Sequence, residues 1–193
     1  SVYRDTYLEI SPDGTYHKIN EAYFKGGHKQ AIEALERNLD LEIDDYATFN
    51  WKAVADAITI LGGIDLEISE SEFKYINGFI TETVESTGLG SHHLEHAGMN
   101  HLDGVQAVAY ARLRLMDTDY NRTARQRLVI QLAMNKAKEA DFETLTTLVQ
   151  AILPQLSTSV GIDDILPMAR NIKKYHIGES GGFPFSRGET HIG

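Results

Sequence analysis

Hydrophobic and polar positions alternate with two different periods along this chain. Residues 2–10 mix β-branched and aromatic side chains and run into Ser11-Pro12-Asp13-Gly14, which predicts a strand closed by a tight turn. Beyond Gly26-Gly27, residues 28–39 place Ala31, Ile32, Leu35 and Leu39 on one helical face. Residues 45–49 read as a short strand. Asn50 then stands as an N-cap, residues 51–61 form an amphipathic helix, and Gly62 stops it. Residues 64–68 alternate apolar and acidic side chains, the mark of a half-buried strand. Residues 69–100 are polar, glycine-spotted and weakly periodic, with short apolar pieces such as Phe79-Ile80; they predict a long lid-like excursion.

Asp103 opens the next helix, with Gln106 three residues on as a variant capping box, and Val105, Val108, Ala109 and Tyr110 fill that helix out. A loop is expected over 115–120. A longer helix over 121–139 turns Leu128, Val129, Leu132 and Ala133 to the core. Two more helices are predicted over 142–153 and 163–175, and 178–193 reads as loop or edge strand. Strands alternating with helices of this size indicate an α/β sandwich. No internal repeat or linker interrupts the chain, so residues 1–193 are expected to form a single domain.

Charge narrows the function. The 193 residues carry 28 acids against 18 bases, a formal charge of −10. That argues against nucleic-acid binding, which ordinarily uses net positive charge. The chain has no cysteine, which removes disulfides, thiol nucleophiles and Cys-ligated zinc together. No apolar run approaches the ~20 residues of a membrane helix, and no basic stretch followed by an apolar one marks a signal peptide in these residues, which says little about the parent protein. The chain begins at Ser1, inside a predicted strand and without an initiator Met, and is read as a fragment of a longer protein.

Five of the nine arginines fall within sixteen residues: Arg112, Arg114, Arg122, Arg125 and Arg127. Guanidinium groups make planar, bidentate hydrogen bonds to phosphate oxygens. Arg112 and Arg114 end one predicted helix. Arg122 opens the next, where backbone N–H groups also favour anions, and Gln126 shares its face at i+4. Two readings stay open for this window: solvated helix-end charges that complement the macrodipole, or a seat for a phosphate or pyrophosphate. Arg125 and Arg127 point to other faces and read as structural. Arg4, in a strand beside Asp5, is a second candidate, with a strand-end salt bridge as the other reading; Lys18 after the first turn could bring another cation near it, though a surface lysine is the favoured reading. His92, His93, His96 and His101 cluster within ten residues. His92 and His96 have the i, i+4 spacing of helical zinc ligands, but the His-Glu-x-x-His pattern is absent and glycines flank the segment, so a polar lid segment is the favoured reading.

Several segments together resemble one family. They are Ser1-Val2-Tyr3-Arg4-Asp5-Thr6; Lys18-Ile19-Asn20-Glu21-Ala22-Tyr23 followed by Gly26-Gly27; Leu61-Gly62-Gly63-Ile64; the helix from Leu102-Asp103-Gly104 through Gln106-Ala107 and Tyr110 to Arg112 and Arg114; and Asp119-Tyr120-Asn121-Arg122 with Arg125-Gln126. In order and with matching spacing over residues 1–140, they resemble the LytR-CpsA-Psr family of bacterial cell-envelope proteins, long labelled transcriptional attenuators. The resemblance implies an α-β-α sandwich with a central mixed sheet, held on the extracytoplasmic face of the membrane by an N-terminal anchor helix. It also implies a phosphotransferase that moves an anionic glycopolymer, such as teichoic acid or capsule, from an undecaprenyl-pyrophosphate carrier to N-acetylmuramic acid of peptidoglycan.

By that resemblance Arg4, Arg112, Arg114, Arg122, Gln126 and Lys18 bind the pyrophosphate, and Asp119 and Arg122 are catalytic. The polyprenyl tail needs an apolar groove, for which aliphatic residues over 51–61 and 128–132 are candidates, each with core packing as its simpler role. The family's Mg²⁺ ligands are aspartates of Gly-x-Asp and Arg-x-Asp-Thr segments in an earlier strand; the resemblance places them, with one or two strands, upstream of Ser1. Two other activities stay open beside transfer: a polyprenyl-phosphate binding module without turnover, and a lipid pyrophosphate hydrolase.

Overall fold

The computed structural model describes residues 1–114 and 119–186, Asp119 by its backbone alone. The chain divides into two compact units, Ser1–Tyr46 with Glu179–Gly193, and Ala47–Gly178.

In the first unit, β1 (Tyr7–Glu9) and β2 (Tyr16–Lys18) form an antiparallel hairpin in which Tyr7 faces Lys18 and Glu9 faces Tyr16. The turn between them is closed by Gly14 N–H donating to Ser11 O at 3.2 Å, with Gly14 at φ 84°. Helix α1 (Ile19–Leu39) follows at once and therefore begins well before residue 28. The expected break survives as a kink: Gly27 takes φ 63°, a conformation open to glycine at little cost. Ile10, Ile19, Ala22 and Ala34 form the core of this unit, with Ala31 and Leu35 packed around them. Val2 pairs in parallel with Phe183, so the tail does supply an edge to the first residues.

The second unit holds the larger core. Its elements are β3 (Ala47–Thr48), α2 (Trp51–Ile60), β4 (Ile64–Ile68), α3 (Glu70–Thr87), β5 (Gly98–Leu102), α4 (Gly104–Arg112), α5 (Asp119–Glu139), α6 (Phe142–Ile152), β6 (Ser157–Thr158) and α7 (Ile162–Arg170). The Asn50 side chain caps α2 by accepting from Ala53 N–H at 2.9 Å, and Gly62 and Gly63, both at positive φ, end it. Strand β4 buries Ile64, Leu66 and Ile68 and exposes Asp65 and Glu67, as the alternation predicts. It pairs antiparallel with β5, and β3 pairs antiparallel with β6. The α/β class holds. Among the described residues its sheets are three two-stranded antiparallel ladders, each joined by a return path that reverses the chain.

Helix α4 sits at the centre, with every residue from Gly104 to Ala111 buried. Its capping box is complete: Asp103 Oδ1 accepts from Gln106 N–H and Gln106 Oε1 accepts from Asp103 N–H, each at 2.9 Å. Gly104 lies against the Ala55 carbonyl of α2 so closely that a Cβ has no room.

The segment 69–100 is not a lid. Ser69 and Glu72 form a capping box at the start of the 18-residue α3, whose Ile76, Phe79, Ile80, Thr83 and Thr87 are buried. Two of those five inward positions are threonine, and this is what masks the helical period in the sequence. The loop after α3 is also pinned: Asn77 donates to Leu94 O at 3.0 Å and accepts from Leu94 N–H at 2.8 Å.

In α5 the inward stripe is turned from the expected one. Arg125, Val129, Leu132 and Ala133 face the core, while Leu128 is exposed. The long apolar stem of Arg125 takes a core position that hydropathy alone assigns to water. Tyr120 falls inside the helix rather than the preceding loop, while 115–118 lie outside the described residues. The last predicted helix ends at Arg170 and continues as a 3-10 turn over Ile172–Lys174.

Candidate functional site

The residues singled out from sequence divide between the two units. In the first, Asp5 binds both cations: Arg4 Nε lies 3.3 Å from Asp5 Oδ1, and Lys18 Nζ lies 3.3 Å from Asp5 Oδ2. The backbone supports this, because Ile19 N–H donates to Thr6 O at 2.8 Å and brings the start of α1 alongside residues 4–6. Arg4 and Lys18 are thus exposed and both paired to Asp5, which is the salt bridge and surface lysine of the simpler reading.

In the second unit the arginine window is built across α3, α4 and α5. Arg112 is the last residue of α4. Its Nη1 donates to Thr83 Oγ1 at 2.9 Å and to Ser86 Oγ at 3.3 Å, both on α3, and its Nη2 lies 3.7 Å from Glu82. Arg114 follows two residues later and is exposed. Arg125 is only 7% exposed. Its Nη2 donates to the Leu113 carbonyl at 3.0 Å, and its Nη1 lies 3.9 Å from Glu72 of the α3 capping box. Leu113 is the residue between Arg112 and Arg114, and Arg125 lies one turn from Arg122 and next to Gln126. That hydrogen bond ties the C-cap of α4 to α5, on whose first turns Arg122 and Gln126 are half-buried and share one helical face. The structural role read for Arg125 is the one it fills. Asp119 opens α5; its side chain lies outside the described residues.

Sequence reasoning missed Thr83, Ser86 and Glu82. The available signal was Thr83 at i+3 and i+4 from Ile80 and Phe79, a hydroxyl continuing a row that begins apolar.

The histidines do not form a helical pair, since residues 88–97 contain no helix. His93 Nε2 pairs with Thr81 Oγ1 at 2.9 Å, and the His92 carbonyl accepts from Gln106 Nε2 at 2.9 Å. His101 Nδ1 lies 2.7 Å from Asp65 Oδ1, and this ring nitrogen, with Lys136, holds the Asp65 carboxyl below the ordinary carboxylate range. Among the described residues no three His, Asp or Glu side chains gather to hold a metal ion. No described helix is long and apolar enough to cross a membrane. Of the groove candidates, Ala53, Ala55, Ile58 and Val129 are core residues, while Trp51, Leu128 and Ile130 are exposed.

The family model LytR_cpsA_psr matches residues 1–179. The chain belongs to the LytR_cpsA_psr family. Among relatives of this LytR_cpsA_psr domain is the polyisoprenyl-teichoic acid–peptidoglycan teichoic acid transferase TagU of Bacillus cereus strain AH820. It is 33% identical over 178 residues, covering 90% of this chain and 53% of that relative. The chain thus spans about half the length of the curated relatives it matches. Among solved structures, a protein from Enterococcus faecalis described as a transcriptional regulator aligns with a TM-score of 0.69 at 28% identity, over 90% of this chain and 59% of that one. The structure of TagT bound to LIIa-WTA aligns with a TM-score of 0.66 at 26% identity, over 88% of this chain and 60% of that one. Others in the set are TagT, TagU and TagV of Bacillus subtilis.

Proposed function

We propose that the protein carrying this chain is a glycopolymer–peptidoglycan phosphotransferase, working on the extracytoplasmic face of the membrane. What supports the reading is the arginine-rich stretch at the junction of two helices: Arg112 ends α4, Arg122 and Gln126 share a face near the start of α5, and the Arg125 bond to the Leu113 carbonyl joins the two. The names of the relatives supply the substrate class: a teichoic acid on a polyisoprenyl carrier, with peptidoglycan as acceptor. The net charge of −10 disfavours DNA as the polyanion.

Phosphoryl transfer asks a protein chiefly for positioning and charge neutralisation. In this reading the acceptor is the C6 hydroxyl of N-acetylmuramic acid, whose oxygen attacks the phosphorus attached to the polymer. The bond from that phosphorus to the bridging oxygen breaks, and undecaprenyl phosphate leaves with the electron pair. Asp119 takes the hydroxyl proton or orients Arg122. Arg112, Arg114 and Arg122 hold the pyrophosphate and neutralise the charge that grows on the leaving phosphate. Gln126, one turn beyond Arg122, donates to a phosphate oxygen.

The test uses the full-length protein with lipid-linked polymer labelled in its sugars, and follows label covalently bound to peptidoglycan. Arg122→Ala with an unchanged far-UV spectrum should lose transfer. Undiminished transfer overturns the site. Label released into water identifies a hydrolase, and lipid binding without any covalent product identifies a binding module; either result overturns the transferase reading.

A further inference from the structure

The buried row of α3 changes chemistry along its length. Ile76, Phe79 and Ile80 are apolar; one turn on, the same face carries Thr83 and Thr87. Thr83 is fully buried. A valine there would fill the same space without burying a hydroxyl, so the hydroxyl needs hydrogen-bond partners to be tolerated.

Those partners have a fixed direction. Thr83 Oγ1 donates to Phe79 O at 2.7 Å, so its hydrogen is committed to its own helix. Ser86 Oγ donates to Thr83 O at 3.2 Å in the same way. Each oxygen has only lone pairs left to offer, and both receive the same atom, Nη1 of Arg112. The two Nη1 hydrogens are thereby spent on α3. Nη2 has only Glu82, at 3.7 Å, beyond hydrogen-bond reach, and Nε makes no hydrogen bond among the described residues. The side chain stays 21% exposed. The Nε–Nη2 edge of the guanidinium, two parallel N–H groups, is one that grips two phosphate oxygens at once.

We infer that Thr83 and Ser86 are positioning residues: by holding Nη1, they turn the Nε–Nη2 edge of Arg112 toward an incoming pyrophosphate. This rests on the assignment of Arg112 to the pyrophosphate in the proposed function. It adds that α3, rather than α4 alone, determines the geometry of that contact, and that the inward hydroxyls are there for binding as well as for the fold.

The experiment measures the affinity of the 193-residue chain for farnesyl pyrophosphate by calorimetry, with a thermal melt of every variant. Thr83→Val keeps the packing and removes the acceptor; Thr83→Ser keeps the acceptor and removes a methyl. A positioning role predicts that Thr83→Val weakens binding about tenfold with little change in melting, while Thr83→Ser melts lower yet binds within about twofold of the parent. Ser86→Ala, at an exposed position that does not threaten folding, should weaken binding about threefold. In the Arg112→Ala background neither threonine substitution should weaken binding further. Affinities that follow melting temperature across the series, or Thr83→Val and Ser86→Ala binding like the parent while Arg112→Ala is impaired, overturn the inference and leave the assignment of Arg112 intact. Undiminished binding by Arg112→Ala overturns that assignment, and the inference falls with it.

Discussion

Arg125 Nη2 donates to the Leu113 carbonyl at 3.0 Å, across the 115–118 segment and between two helices. The bond joins the C-cap of α4 to α5 through a buried arginine. Arg125→Met keeps the apolar stem and removes the guanidinium. It leaves the Leu113 carbonyl short of a donor and Glu72 short of a cation. Loss of a hydrogen bond to a charged group costs about 1.5–3 kcal/mol, and a urea unfolding curve of the variant should show a decrease of that size. Affinity for farnesyl pyrophosphate should fall too, because the end of α4 is no longer tied to α5.

Glu82 competes for Arg112. Its carboxylate lies 3.7 Å from Nη2 and is mostly in solvent, so the pair contributes little to folding. Glu82→Gln should leave the urea midpoint almost unmoved and tighten pyrophosphate binding about two- to threefold, since one opposing charge is gone. Weaker binding in that variant would mean that Glu82 helps orient the arginine.

Acid should loosen the contact of α2 with the 3-10 turn Leu153–Gln155 that follows α6. Burial pushes the Asp56 carboxyl up, but hydrogen bonds from Lys52 and Gln155, with the Lys52 charge, outweigh it and leave the folded value below the ordinary one. Lys52 Nζ lies 2.6 Å and Gln155 Nε2 3.0 Å from the same oxygen, Oδ2. A carboxyl depressed in the folded state contributes stability that is complete above its unfolded value of about 3.9 and is lost as pH falls through the folded value. Unfolding free energy measured from pH 7 down to pH 2 should drop below about pH 4, and Asp56→Asn should flatten part of that drop. An identical pH profile in Asp56→Asn would remove Asp56 as a contributor.

Gly104 is where α4 meets the Ala55 carbonyl. In an open helix, alanine would be the better residue by about 1 kcal/mol. Here its methyl group has no space, and the overpacking should cost about 1–3 kcal/mol. The urea midpoint of Gly104→Ala should therefore fall rather than rise.

Several features were legible from residue order alone because they depend on neighbours within one turn. The Asn50 cap, the Asp103–Gln106 capping box, the β4 alternation and the glycine stop after α2 are of this kind. The arginine window was legible as a concentration of one residue type. The helix over Glu70–Thr87 was not, because Thr83 and Thr87 occupy inward positions that an apolar pattern must fill to be seen. The inward face of α5 was misjudged for a related reason: Arg125 is buried as a stem whose Nη2 is held by the Leu113 carbonyl.

The amino-acid sequence by itself determined most of the local elements, though not α3, together with the α/β class, the family and the set of arginines available to hold an anion. Only the tertiary structure decided which of those arginines does what. Arg125 was turned inward to a carbonyl twelve residues away, and Arg112 was held from a helix that ends twenty-five residues earlier in the chain. The reason is physical. A guanidinium carries five donors, and its role depends on which of them the fold consumes. That is set by carbonyls and hydroxyls distant in sequence, which no local pattern records.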